Sequence, residues 1–207
     1  MEFLQILCIL FPSVILHEYA HGWAAYRLGD STAKLAGRLT LNPLKHIDPL
    51  GTIILPAILL IMRSSFVLGW AKPVPVDFSN LRHPRRDMML VGLAGPAVNI
   101  GLAVGMSLIL KTCSFLKIGL LNSVAVMMVN AIFINLLLAV FNLLPIPPLD
   151  GSRLVAGVLP RKWAFLYGRM EPYGILIVMA LLYLGGLNHF IFPLVEFFSY
   201  YLTGIGD

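Results

Sequence analysis

Apolar runs long enough to cross a bilayer recur along this 207-residue chain, at about 3–25, 88–110, 122–148 and 172–188, with a shorter one at 189–205 that contains Glu196. A backbone at that depth has no water for its N–H and C=O groups and must satisfy them internally, which for runs near 20 residues means helices. Composition agrees: 58% of residues are hydrophobic and 12% charged, about half the charged share of a soluble domain, and the mean hydropathy is +0.86. We expect an all-α polytopic membrane protein of about five transmembrane helices. Segment 50–62 is set apart: thirteen residues between Pro49 and Arg63, containing Pro56, suit a short re-entrant or interfacial piece better than a crossing.

The first run carries the sharpest local signal, because His17, Glu18 and His21 spell HEYAH inside it. Histidines four residues apart stand one above the other on a helix face, close enough to share one zinc ion, and the glutamate beside the first can reach a water there. Histidines that only hydrogen-bond inside a bundle core are the competing reading. It carries less weight, since ionisable groups in an apolar span are costly and mark function.

Charge placement bears on the path of the chain. Thirteen of the fifteen Lys and Arg residues fall in 27–48, 63–87 and 151–170, and only Lys111 and Lys117 lie elsewhere. If 50–62 dips in and returns, the thirteen share one side, the asymmetry of a cytoplasmic face. The pI near 9.4 then reflects topology and contact with anionic lipid, with no nucleic-acid signal. Residues 1–16 carry Glu2, lack a basic start and lead straight into HEYAH, so they read as an uncleaved span and not as a signal peptide. Cys8 and Cys113 sit in apolar segments and indicate neither a disulfide framework nor a cysteine zinc site. No linker or internal repeat divides the chain. Residues 1–207 therefore read as one domain, with a core at about 1–155 and C-terminal helices at about 171–205.

Zinc at a catalytic site takes three protein ligands and leaves one position for water. Asp150 stands out as the third because it closes the uncharged stretch from Ile118 to Leu149, in NLLPIPPLDG. Spans 3–25 and 122–148 would run in the same direction and bring it to the depth of His17 and His21. Its alternative is a turn aspartate before Gly151, since Asp-Gly is a common turn pair.

With both motifs in view, the sequence resembles the site-2 protease family of intramembrane zinc metalloproteases. HEYAH matches the family's HExxH, and Asn142, Pro145, Leu149, Asp150 and Gly151 match its NxxPxxxLDG. The likeness runs through GDSTAKLAGRLTLNPLKHIDPLG, GWAKPVPVDF and GLAGPAVN, covering most of residues 10–155, in a minimal form without PDZ or CBS domains. It implies a zinc endopeptidase with one zinc per chain on His17, His21 and Asp150, Glu18 as general base, and Asn142 beside the metal as an oxyanion donor. An Asn142 that only bonds a neighbouring backbone carbonyl is the alternative. The implied substrate is a membrane protein cut in or near a transmembrane helix, with the site toward the cytoplasm of a prokaryotic plasma membrane.

Other polar residues read more locally. His46 and Asp48 either orient a ligand as a pair or cap a turn, His83 faces solvent among arginines, and His189 bonds backbone at a helix junction. Gly92, Gly95, Gly101 and Gly105 give small faces for close helix packing. A membrane protein that binds or transports a divalent metal is the rival function, but it would place ionisable ligands on several spans. The stretches 88–110 and 172–195 contain no Asp, Glu, Lys or Arg. Finally GRLTL, 37–41, and KPVPV, 72–76, look extended, and either could offer a strand edge to an unwound substrate.

Overall fold

A computed structural model describes residues 3–54, 57–58, 61–62, 71–119 and 122–204. The first apolar run becomes α1 (Phe3–Leu28). Pro12 deletes one N–H within it, and in the same turn the Ser13 hydroxyl donates to the Ile9 carbonyl at 2.8 Å. The helix stops at Gly29, which takes φ 119°, and the short α2 (Thr32–Leu35) follows. The two long apolar helices are α3 (Pro84–Phe115) and α4 (Asn122–Asn142). α3 starts with proline at its first position and with the Asp87 carboxylate accepting the His83 N–H at 2.8 Å, both favourable at a helix N-terminus.

α1 and α3 pack antiparallel, since His17 meets Asn99 and His21 meets Val91. α3 and α4 form a second antiparallel pair joined by the Asn99 to Asn135 hydrogen bond. Lys111 and Lys117 consequently lie at the end of α3 opposite to Pro84 and Asp150. After α4 the chain turns through three prolines into α5 (Gly151–Val158), α6 (Arg161–Gly168) and α7 (Gly174–Tyr183), and ends in α8 (Phe192–Thr203). Ile191 and Val195 seat α8 on Ala103, Ile132 and Leu136, which together form the apolar core of the bundle.

Among the described residues three stretches are long and apolar enough to cross a membrane, namely Pro84–Phe115, Asn122–Asn142 and the run Arg161–Tyr183 that joins α6 to α7. Of the about five helices expected, these three are found as candidates. Run 172–188 ends as α7 at Tyr183, before Gly185 at φ 79°, and 189–205 yields the twelve-residue α8. At 1.5 Å per residue α8 spans about 18 Å against a hydrocarbon core of about 30 Å. α1, with its ionisable motif, is not among the three.

Among the described residues no strand forms, and both 37–41 and 72–76 are irregular. Their backbone groups go to side chains and single contacts. The Lys72 N–H donates to the His46 carbonyl at 2.9 Å, the Val74 N–H goes to Glu18, and the His46 ring donates to the Thr40 carbonyl at 2.8 Å. Most of 55–70 lies outside the described residues, so the dip assigned to 50–62 does too in part. On either side of that stretch the Lys72 N–H meets the His46 carbonyl.

Candidate metal centre

His17 and His21 lie one turn apart on the face of α1 that α3 covers, 6% and 8% exposed. His17 Nδ1 is 2.6 Å from Asn99 Oδ1, and His21 Nδ1 is 2.7 Å from the Val91 carbonyl. Both partners are acceptors only, so each Nδ1 carries the ring proton and each Nε2 presents a lone pair. The pull on the His17 side is passed on: Asn99 donates to Asn135 Oδ1 at 3.0 Å, and Asn135 donates to the Ala131 carbonyl at 2.9 Å. Both asparagines are 0% exposed, so the chain of bonds has no competing water.

The third ligand atom arrives from the turn after α4. Asp150 has helical dihedrals at the start of α5 and makes no capping hydrogen bond, which leaves its carboxylate free. Oδ2 lies 3.1 Å from His17 Nε2 and 3.2 Å from His21 Nε2, and the two Nε2 atoms are 3.0 Å apart. Glycines make the convergence sterically feasible. A Cβ at Gly95 would stand 2.6 Å from the His17 ring and collide with His21 as well, and one at Gly92 would press on Arg153 Cβ at 2.9 Å and the Asp150 carbonyl at 3.1 Å. A Cβ at Gly151 would run into the Leu143 and Leu144 carbonyls, so the LDG turn can fold back only with glycine there.

Two lone-pair nitrogens and a carboxylate oxygen at 3.0–3.2 Å repel one another unless a cation lies among them or a proton is shared. For a tetrahedral zinc with bonds of about 2.0–2.1 Å the ligand–ligand edge is about 3.3 Å, so the donor set fits that ion. Among the described residues this is the cluster of His, Cys, Asp and Glu that could hold a metal.

Glu18 lines a cleft of about 480 Å³ together with His17, His21, Val74, Asn142 and Asp150. Its Oε2 accepts the Val74 N–H at 2.8 Å. Asn142 lies on the same cleft, with Nδ2 donating to the Leu138 carbonyl one turn back at 2.9 Å. His46 and Asp48 are not a pair. His46 is fully buried against Thr40 and Lys72, while the Asp48 carboxylate caps the turn at Gly51 at 2.7 Å. His83 is exposed and His189 bonds the Gly185 carbonyl at 2.8 Å, both as expected. Gly101 and Gly105 face open space and pack no helix. Asn99, Asn135 and the Val74 N–H were not singled out from the sequence and Gly95 was read only as a packing face, although a buried-looking asparagine in an apolar run was a readable signal.

Helix-borne histidines with a glutamate between them and a loop carboxylate opposite define the class of zinc metalloproteases. Comparison with known proteins agrees. Peptidase family M50 is matched by residues 114–185, the part that carries Asn142 and Asp150. A protein of Bacillus subtilis (strain 168) described as "Putative zinc metalloprotease YwhC" is 38% identical over 188 residues, 85% of this chain and 78% of that protein. Rip2 of Mycolicibacterium smegmatis, under the same description, is 31% identical over 218 residues, 99% of this chain and 78% of its own. Zinc metalloprotease MJ0392 of Methanocaldococcus jannaschii is 24% identical over 161 residues, 78% of this chain and 36% of its own. No solved structure matches the chain. The chain belongs to peptidase family M50, the site-2 proteases, and is a zinc metalloprotease.

Proposed function

We propose that this protease is an intramembrane endopeptidase that hydrolyses peptide bonds in or near transmembrane segments of membrane-protein substrates. Residues 1–207 act as one catalytic domain, with α1 as a further crossing whose polar face is turned to the cleft. The observation that carries the reading is the convergence of His17 Nε2, His21 Nε2 and Asp150 Oδ2 between helices whose outward faces are apolar.

In this reading His17, His21 and Asp150 hold one zinc ion, which when bound polarises the scissile carbonyl and makes a water acidic near neutral pH. Asn99 and the Val91 carbonyl keep both ring lone pairs aimed at the ion. Glu18 takes a proton from the attacking water as its oxygen bonds to the carbonyl carbon, and delivers that proton to the amine nitrogen as the C–N bond breaks. Asn142 donates to the developing oxyanion once its amide leaves the Leu138 carbonyl. The thirteen-to-two division of basic residues supports a site facing the cytoplasm of a prokaryotic plasma membrane.

The direct test is purified protein in proteoliposomes with single-span substrates, run beside Glu18→Gln. Cleavage within or next to the substrate span by the zinc-loaded enzyme, absent in the variant, is the expected result. Cutting confined to distant soluble regions, or undiminished cutting by Glu18→Gln, would overturn the reading.

A further inference from the structure

Arg38 is buried, 8% exposed, and among the described residues no carboxylate pairs with it. Its guanidinium donates to two backbone carbonyls, Lys72 at 2.7 Å and Pro73 at 3.2 Å, while its Nε has no partner among the described residues. A buried cation supported this thinly is costly, and a neutral side chain would fill the space more cheaply. What the charge achieves is local. It grips the two carbonyls that immediately precede Val74, and the Val74 N–H is the group that binds Glu18 Oε2 at 2.8 Å.

Two further contacts aim that N–H. The His46 carbonyl accepts the Lys72 N–H, fixing the other edge of the same residue. Val74 Cγ1 sits in the notch at Gly22, where an added Cβ would be only 2.8 Å away, and Gly22 is one helical turn beyond Glu18. The segment is thereby pinned along α1 at the height where its amide meets the carboxylate. Proline at 73 and 75 leaves Val74 as the donor between them.

We propose that Arg38 is a positioning residue for peptide hydrolysis: by holding the Lys72 and Pro73 carbonyls it presents the Val74 N–H to Glu18 and fixes the orientation of the carboxylate that moves the proton. The inference rests on Glu18 being the general base. It differs from a structural seal at the cleft mouth, which would change folding or substrate binding and leave turnover alone.

The test compares Arg38→Ala and Val74→Pro in the full chain, in proteoliposomes with a cleavable single-span substrate. Val74→Pro removes the donor without touching Arg38 and suits the extended run between two prolines, so it carries the test even if Arg38→Ala fails to fold. Each variant should lose about 10- to 100-fold in kcat with KM within about twofold and zinc content unchanged. The double variant should lose no more than either alone, and methylguanidinium should restore part of the activity of Arg38→Ala. Amide hydrogen exchange in the peptide 71–77, to which Pro73 and Pro75 contribute nothing, should quicken in Arg38→Ala. Turnover within twofold of wild type in Val74→Pro overturns the proposal, as does a loss in Arg38→Ala that falls wholly on KM or on zinc. Full activity of Glu18→Gln would instead remove the general-base reading beneath it, whatever the two variants do.

Discussion

The two sides of the cleft are made of different material. On the metal side, two ring nitrogens are braced by α3 and, through Asn99 and Asn135, by α4, with every bracing group buried and the bonds from His17, His21 and Asn99 running between helices. On the proton side Glu18, the neighbour of His17 in sequence, faces an irregular segment that is itself held by Arg38 and His46 from another loop. Ligand geometry tolerates only tenths of an ångström, and helices locked by dry hydrogen bonds supply that. In the proposed mechanism a substrate enters beside Glu18, and a segment with few regular bonds can yield there. Damage to one side should therefore empty the site of metal, and damage to the other should stop turnover with the metal in place.

The strongest way to break this division is at the motif itself. His17→Ala, His21→Ala and Asp150→Ala should lose both zinc and cleavage, as read by elemental analysis and a substrate assay. Glu18→Gln should keep its zinc while turnover falls by about 10²- to 10⁴-fold, the usual worth of a positioned acid–base group. If Glu18→Gln also empties the site, the two sides are one unit. Full zinc in an active Asp150→Ala would reassign the third ligand.

Next in size is Gly95→Ala. The new methyl collides with both imidazoles, so zinc content and thermal stability should drop together. Gly101→Ala and Gly105→Ala on the same helix meet nothing within 4 Å and should leave both unchanged. Equal effects at all three positions would show that α3 senses any added bulk, and the special closeness at Gly95 would lose its meaning. A smaller effect is expected from Asn99→Ala, which frees the His17 ring to turn and should weaken zinc affinity by about 10- to 100-fold. Asn135→Ala should follow in the same direction by less, since it acts only through Asn99. Chelator competition at fixed pH measures both, and unchanged affinity in Asn99→Ala would mean that α1 alone orients the ring.

These contrasts also explain what could be read before any coordinates were known. HEYAH and the LDG turn are local patterns whose spacing carries their chemistry, and the side chains of His17, His21 and Asp150 that they nominate lie together in the fold. The bracing is non-local: Asn99 meets His17 across 82 residues, and the need for glycine at 95 exists only because α1 packs there. KPVPV could be seen to be non-helical, but not that side chains would take up its polar groups in place of a strand ladder. Hydropathy alone placed a span at 172–188, whereas Gly185 in a left-handed conformation ends the run early. For His46 and Asp48 the local alternative holds, since each has a nearby backbone partner.

The smallest expected effect lies away from the cleft, where α1 hands over to the loops of its proton side. Asp30 is fully buried and ties three pieces of chain together. Its Oδ1 accepts from the Thr32 N–H and hydroxyl and from Asn80 Nδ2, and its Oδ2 accepts the Asp77 N–H at 2.8 Å. Burial disfavours its charge, but the hydrogen bonds from Thr32, Asn80 and Asp77 outweigh that and hold the carboxyl below its ordinary range. A folded-state value below the unfolded one means that the stabilisation is complete above the unfolded pKa, about 3.9, and fades as pH falls through the lower folded value. Asp30→Asn turns a donor toward the Asp77 N–H and should cost about 1–3 kcal/mol at neutral pH. The gap in unfolding temperature between wild type and variant should then narrow as pH drops below about 4. Zinc content should be unaffected at neutral pH, because the loss falls on the loops and not on the braced helices. A gap that stays constant into acid would mean that Asp30 acts by shape and not by charge, and a variant depleted of zinc would erase the distinction between the two sides of the cleft.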